Sequence, residues 1–183
     1  MTDVRQHIEI REMVLEDLAP VYALGERLFT ADRWTNLYRT WDEYEVINNY
    51  LSDPELSFVA ELHDEVIGFA LGTMIDKRRS AWMYGYLLWF GVEDAYRGLG
   101  VGERLLKRLT DTCIQEGARM MLVDTDAGNV GAIKFFKRHG FGNLQDHVYM
   151  SKNLTKHPVY EKLRDKEREK ERSEHKPKKP SGE

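Results

Sequence analysis

Apolar positions recur along this chain with two periods, and the switch between them marks out its elements. Alternation predicts a strand over residues 6–12, and helical spacing predicts a helix over 15–29, then a loop and a second helix over 30–52. Two further strands fall near 56–62 and 66–75, with His63-Asp64-Glu65 making the hairpin between them. The second half alternates strand and helix: a strand over 82–92, a helix over 102–117, a strand over 119–125, a helix over 129–139 and a final pair of strands between 141 and 153. This order predicts a mixed sheet with helices on both faces.

One junction in this pattern carries chemistry. The apolar, aromatic run Tyr86-Leu87-Leu88-Trp89-Phe90-Gly91-Val92 reads as a buried strand, and Leu105, Leu106, Leu109, Cys113 and Ile114 form one stripe of the helix that follows. Between them, Arg97-Gly98-Leu99-Gly100-Val101-Gly102 places three glycines within five residues. The first amides of a helix have no intrahelical acceptor and point outward together. The helix dipole adds partial positive charge, so such a junction is built to hold a phosphate by its backbone. A turn serving only chain reversal is the alternative. Two competing motifs are excluded: Gly102 is followed by Glu103 and Arg104 where a P-loop needs Lys and Ser/Thr, and the glycines lie past mid-chain instead of in an early βαβ unit.

Arg97 to Gly102 resembles the Arg/Gln-x-x-Gly-x-Gly/Ala loop of the GNAT superfamily of acyl-coenzyme A N-acyltransferases. The segment Asn129-Val130-Gly131-Ala132-Ile133-Lys134-Phe135-Phe136-Lys137-Arg138-His139-Gly140-Phe141 is similar to a second signature of that family, Asn-x-x-Ala-x-x-Leu/Phe-Tyr-x-x-x-Gly-Phe. Ile8 to Met13, with Asp17, Leu18 and Val21, looks like its first strand and helix, so the resemblance covers residues 6–154. Within the superfamily the pattern most resembles the branch that acetylates ribosomal-protein and other protein N-termini.

The resemblance implies a mixed α/β (α+β) fold with a central, mostly antiparallel twisted sheet flanked by helices on both faces, and acetyl-coenzyme A as the acyl donor. It implies that the amides of Gly98, Leu99, Gly100, Val101, Gly102 and Glu103, with Arg97 opening the motif, hold the pyrophosphate. The strand backbone at Phe90, Gly91 and Val92 resembles the edge that pairs with pantetheine and polarises the thioester carbonyl. Gly91 either marks a bulge that splays the neighbouring strand or is simply tolerated there. Asn129 can cap the helix it opens, and by resemblance it also contacts pantetheine.

The acceptor amine arrives protonated near neutral pH, so a base must remove a proton before attack. Asp124 is the first candidate. It stands where the N-terminal acetyltransferase branch carries a glutamate, and alternation puts Met120, Leu122, Asp124 and Asp126 on one face. A strand-end or turn role is its alternative, and Glu93 is the second candidate. The chain departs from the family at Phe136, which occupies the position of the tyrosine that protonates the departing thiolate. Tyr149 or an ordered water then acts as the acid, or the thiolate leaves unassisted.

Composition narrows the partners. Residues 155–183 carry 10 Lys/Arg and 7 Asp/Glu, a net +3; the whole chain is −4, so residues 1–154 carry −7. An acidic body suits a cationic amine, small molecule or peptide, and argues against nucleic acid as its partner. Residues 1–154 read as one acetyltransferase domain and 155–183 as a charged tail, disordered or marginally helical. The single cysteine, Cys113, reads as a packing residue, and six scattered histidines show no metal-ligand spacing. No signal-type segment or membrane-length apolar run occurs, which leads us to expect a cytoplasmic protein. Trp34, Tyr38, Trp41 and Tyr44 either wall the acceptor site or pack in the core or at a homodimer interface. The leading reading is an N-acetyltransferase that moves acetyl to a primary amine of a protein N-terminus, a lysine or a small molecule by direct attack in a ternary complex. The alternatives are a polyamine-type acetyltransferase, a non-catalytic acyl-coenzyme A-binding module suggested by Phe136, and an adaptor acting through its basic tail.

Overall fold

The computed structural model describes residues 7–76, 82–145, 148 and 150–174. The chain divides into two compact units, Met1–Gly140 and Phe141–Glu183. The first holds a five-stranded sheet of order β1-β2-β3-β4-β5, with β1 Glu9–Glu12, β2 Ser57–Leu62, β3 Glu65–Asp76, β4 Met83–Val92 and β5 Met120–Val123. The first three pairings are antiparallel and the last is parallel. The β2–β3 hairpin turns at His63 and Asp64, both with positive φ (50° and 63°), as a tight type I′-like turn requires.

Two helical layers cover this sheet. On one face lie α1 (Leu18–Leu28) and α3 (Glu43–Ser52), whose Val21, Leu24, Leu28 and Val46 join Val59, Phe69, Leu71 and Trp89 of the strands in one buried cluster. Trp41 closes it: its ring stands against Phe29, Phe69 and Trp89 at centroid distances of 4.9–5.4 Å, and its indole N–H donates to the Tyr22 carbonyl. Gly25 lies beneath that ring, where a Cβ would fall 2.1 Å from Trp41 Cε2.

On the other face α4 (Val101–Gln115) is seated on glycines. Its buried stripe of Val101, Leu105, Leu109 and Cys113 follows a four-residue repeat, the spacing of one helix face. Leu105 meets Gly68, Leu109 meets Gly72 and Cys113 meets Gly85; Cβ atoms at these glycines would come within 3.2, 2.9 and 2.6 Å of them. The backbone of the sheet is thus the surface on which α4 rests. Burial pushes the Cys113 thiol up to about 11, which keeps it protonated and inert, as expected of a packing cysteine.

Two expectations are corrected. The single helix expected within 30–52 is two, α2 (Thr35–Thr40) and α3, because Asp42 stops the first and caps the second, accepting the amides of Tyr44 and Glu45 at 2.8 and 3.0 Å. Trp41 therefore turns inward to the core, while Tyr38 and Tyr44 are exposed. The pair of strands expected between 141 and 153 is absent among the described residues there. Those after Phe141 are exposed, and Asn143, with φ 51°, breaks the extended run. In the second unit α6 (Pro158–Glu174) is helical, and its described side chains are exposed.

Arg11 ties the start of the chain to the sheet. Its guanidinium donates to both carboxylate oxygens of Asp17 (2.6 and 2.9 Å) and to Glu61 of β2, while Asp17 also accepts the Val14 amide at 2.8 Å. Asp17 is only 5% exposed. Burial alone would raise its pKa, but the bonds from Arg11 and Val14 outweigh it and hold the carboxyl below its usual value. A lowered carboxyl pKa contributes stability above the unfolded value, near pH 3.9, that is lost as pH falls through the folded value. Asp17→Asn should therefore cost about 2 kcal/mol at pH 7, and the gap to wild type should close in denaturant titrations as the pH is taken down to the acid range. Gly25→Ala should cost about 3 kcal/mol through the clash with Trp41, read as a lower midpoint in the same titrations.

Candidate functional site

The site begins where β4 loses a neighbour. β5 pairs only with Tyr84–Leu87, yet β4 continues to Val92. On its other edge the β3 register jumps from Gly72↔Leu87 to Leu71↔Trp89, so Leu88 is an extra, unpaired residue. Leu88 and Trp89 both pack on the cluster beneath α1 and α3, which is the mark of a bulge and bends the strand. Beyond it, Phe90, Gly91 and Val92 pair with Ala70, Phe69 and Gly68 on one edge, while no described strand pairs with the other. That leaves a strip of backbone donors and acceptors open to an extended ligand.

The bulge is at Leu88, not at Gly91. Gly91 stays in register with Phe69, and it is glycine because Leu28 and Phe69 close over it, with a Cβ falling 2.7 and 3.0 Å from them. Phe90 faces the opposite side, against Phe135 and Phe136 of α5 (Val130–Arg138), at ring distances of 5.6 and 6.1 Å. Phe136 is 7% exposed and has no hydroxyl.

The strand leads into the glycine turn. The Glu93 amide donates to the Ile67 carbonyl at 2.9 Å, and a short 3-10 turn spans Asp94–Tyr96. Gly98 and Gly100 then take φ of 78° and 83°, with open space where each Cβ would be, so the requirement for glycine is conformational. Gly100 caps α4 with its carbonyl alone, accepting the Arg104 amide at 3.0 Å, and no side chain caps the amides that follow. The N–H groups of Val101, Gly102 and Glu103 thus open a 15-residue helix at its positive end. Arg97 is held by Asp94 at 2.7 Å, and Arg33 reaches the same carboxylate at 3.2 Å. Val101 is buried, Leu99 half-buried, and a Cβ at Gly102 would meet Phe90 and Phe135 at 3.4 and 3.5 Å.

The two carboxylate candidates are separated. Asp124 follows β5 directly on the exposed face of Met120 and Leu122, and accepts a short hydrogen bond from the hydroxyl of Tyr86. Burial, then the bond to Asp124 and its charge, push the Tyr86 phenol up to about 12, so it remains a donor across the neutral range. Glu93 is paired with Arg27 at 2.7 Å. Since Val123 is level with Leu87, Asp124 is level with Leu88, and Glu93 is five residues farther along β4, on the order of 16 Å at the rise of a strand. Asp126 belongs to the next loop, accepting the Gly128 amide at 2.7 Å. Asn129 caps α5 by accepting the Ala132 amide at 3.1 Å. Tyr149 lies outside the described residues.

Tyr86 is the residue that reading the sequence missed. Its place in an apolar, aromatic strand suggested packing, and only the parallel register of β4 with β5 brings it to Asp124. No group of three or more His, Cys, Asp or Glu side chains suited to a metal ion occurs among the described residues.

Comparison with known proteins agrees with this architecture. The family model described as "Acetyltransferase (GNAT) family" matches residues 26–141. N-alpha-acetyltransferase 30 of Schizosaccharomyces pombe is 32% identical over 88 residues, which are 48% of this chain and 58% of that protein. Acetyltransferase SG1711 of Sodalis glossinidius is 29% identical over 145 residues, covering 78% of this chain and 92% of that one. The solved structure of the aminoglycoside N-acetyltransferase AAC(6')-Iy in complex with CoA shares the fold, with a TM-score of 0.63 at 19% identity over 80% of this chain and 95% of that one. With a family model spanning well over half its length and a mixed sheet of the matching kind, the chain belongs to the acetyltransferase (GNAT) family and is an acyltransferase.

Proposed function

We propose that the protein transfers the acetyl group of acetyl-coenzyme A to the primary amine of a protein or peptide N-terminus, by direct attack in a ternary complex. The observation that carries this reading is the continuity of two backbone surfaces. The open edge of β4 at Phe90–Val92 is joined through the turn of Glu93–Gly100 to the uncapped amides of α4. An extended pantetheine arm pairs along the first, and its pyrophosphate sits on the second. The amides of Gly98 to Glu103 act as donors, Arg97 borders them, and the Asn129 side chain stands at the start of α5 beside the arm. A strand N–H directed at the thioester oxygen stabilises the charge that develops there, an effect worth about 3 kcal/mol for a well-placed donor.

Asp124 is the base. It takes the proton from the attacking amine, while the Tyr86 hydroxyl holds the carboxylate in one orientation. Collapse of the tetrahedral intermediate breaks the carbon–sulfur bond and releases the thiolate. Phe136 offers no proton, so the thiolate leaves as the anion and is protonated from solvent, which its moderate basicity permits. Glu93, neutralised by Arg27, shapes the entrance to the glycine turn. For the acceptor, the name of the Schizosaccharomyces pombe relative supports an N-terminal amine. The acidic body, −7 over residues 1–154, supports a cationic acceptor of any size.

In an assay of free-thiol release, peptides with free N-termini should be turned over and the same peptides with blocked N-termini should not. Release only with polyamines would overturn the acceptor assignment. Asp124→Asn should lower kcat about 100-fold or more and change the shape of the pH–rate profile. Tyr86→Phe should lower kcat about tenfold through the loss of a charge-assisted hydrogen bond, with the KM for acetyl-coenzyme A unchanged in both variants. Glu93→Gln should leave the profile as it is. If Asp124→Asn and Glu93→Gln both leave it unchanged, neither carboxylate is the base.

A further inference from the structure

The buried and half-buried carboxylates of the first unit divide by what holds them. Asp17, Glu61 and Glu93 each face an arginine within 2.7 Å. Glu45 and Asp53, near the two ends of α3, are half-buried and accept neutral donors instead: the Trp89 indole N–H at 3.2 Å and the Thr73 hydroxyl at 2.7 Å. Neither is paired with a cation among the described residues. An acid in the first turn of a helix suits the dipole wherever its side chain points, and Glu43, in the same turn, is exposed. Glu45 is turned inward. Its carboxylate is bonded to β4 by a tryptophan that is only 8% exposed. That tryptophan follows the bulged Leu88, so Glu45 stands over the point where the open edge of β4 begins.

Asp124 comes to the same place from β5. Tyr86 is level with Leu122, and alternation along each strand puts Leu88 with Tyr86 and Asp124 with Leu122, on the face where Leu88 and Trp89 pack with α1 and α3. Asp124 is level with Leu88, one strand away, so the strand positions beneath the two carboxylates are about 6 Å apart, from the spacing of strands and the rise of one residue. Asp124 approaches along the sheet, and Glu45 from the helix layer above it. An amine attacking at the bulge lies between them. A second carboxylate set against the reacting ammonium would strengthen its hold on the proton that Asp124 has to remove, whereas a different cation on the same acceptor meets no such conflict. We propose that Glu45 is a specificity-determining residue that receives the side-chain cation of an arginine or lysine near the N-terminus of the acceptor peptide, while the α-amine goes to Asp124. This rests on the N-terminal acceptor reading above. Spacing and chemistry agree: at about 3.5 Å of chain per residue, a side chain within the first three residues spans that separation. A half-buried carboxylate bonded to a neutral indole also keeps lone pairs for a charged donor, which binds more strongly than a neutral one.

Initial rates of thiol release by the full chain, with peptide pairs that differ only in arginine against its neutral isostere citrulline at residue one, two or three, test this directly. Wild type should favour arginine at one of these positions about tenfold in kcat/KM, with the difference carried by KM. Glu45→Gln keeps an oxygen for the Trp89 indole and removes only the charge. The variant should therefore hold its thermal midpoint and lose most of the preference, through a higher KM for the arginine peptide. Glu43→Gln makes the same change of charge on the same turn and should keep the preference. Equal kcat/KM of wild type within every pair, or a Glu45→Gln variant that retains the preference or slows both peptides by one factor, overturns the role of Glu45 and leaves the N-terminal acceptor standing. A preference lost equally in Glu43→Gln reduces the effect to net charge and likewise overturns the assignment. Turnover of none of the peptides, with polyamines acetylated instead, overturns both readings.

Discussion

Everything at the site depends on β4 being paired with β3 to its end, apart from the bulged Leu88, while β5 pairs it only over Tyr84–Leu87. Backbone N–H and C=O groups left unpaired in a partly buried cleft each cost on the order of 1–3 kcal/mol, so a protein tolerates a strip of them only where something else completes the pairing. Here the strip starts at Leu88, whose bulge bends β4 just as β5 ends at Val123. Had the register continued unbroken, β5 would have a straight edge to follow, and an extended ligand would find no room between the two strands.

The same bend sorts the neighbouring groups by chemistry. At the near end of the cleft are the Tyr86 hydroxyl and the Asp124 carboxylate, a pair fixed by hydrogen bonding. At the far end are the first amides of α4, which come from backbone and donate hydrogen bonds without ionising near neutral pH. The proposed acid–base chemistry and the proposed anion binding are thus separated along one strand. The Phe90–Phe135–Phe136 cluster fills the space between α5 and β4 on the other side of the sheet with purely apolar surface, where a tyrosine would have brought a hydroxyl.

What could be read from the sequence was local. The stripe of α4 and the glycines before it are periodic and sit close together, and Gly98 and Gly100 do adopt the left-handed conformations that only glycine takes without strain. Asn129 capping its own helix is likewise a matter of three residues. What escaped was non-local or depended on competition. The contact of Tyr86 with Asp124 needs the register of two strands 38 residues apart. The bulge at Leu88 leaves no trace in composition, whereas Gly91, readable as either a bulge residue or one merely tolerated in a strand, is a packing necessity beneath Leu28. Between α2 and α3, a capping aspartate overrode an aromatic pattern that ran on at helical spacing.

The glycines beneath α4 have a mechanical consequence. Most helices lie on a cushion of side chains that can yield by changing rotamer, but this one rests at Gly68, Gly72 and Gly85 on main chain, with about 3 Å separating its stripe from any added methyl. Contact of that kind is stiff, so the helix behaves as a lever with its fulcrum inside the sheet. A single methyl group on β3, enclosed in the core and touching no ligand, would act as a wedge that tips the axis and re-aims the amides at its tip.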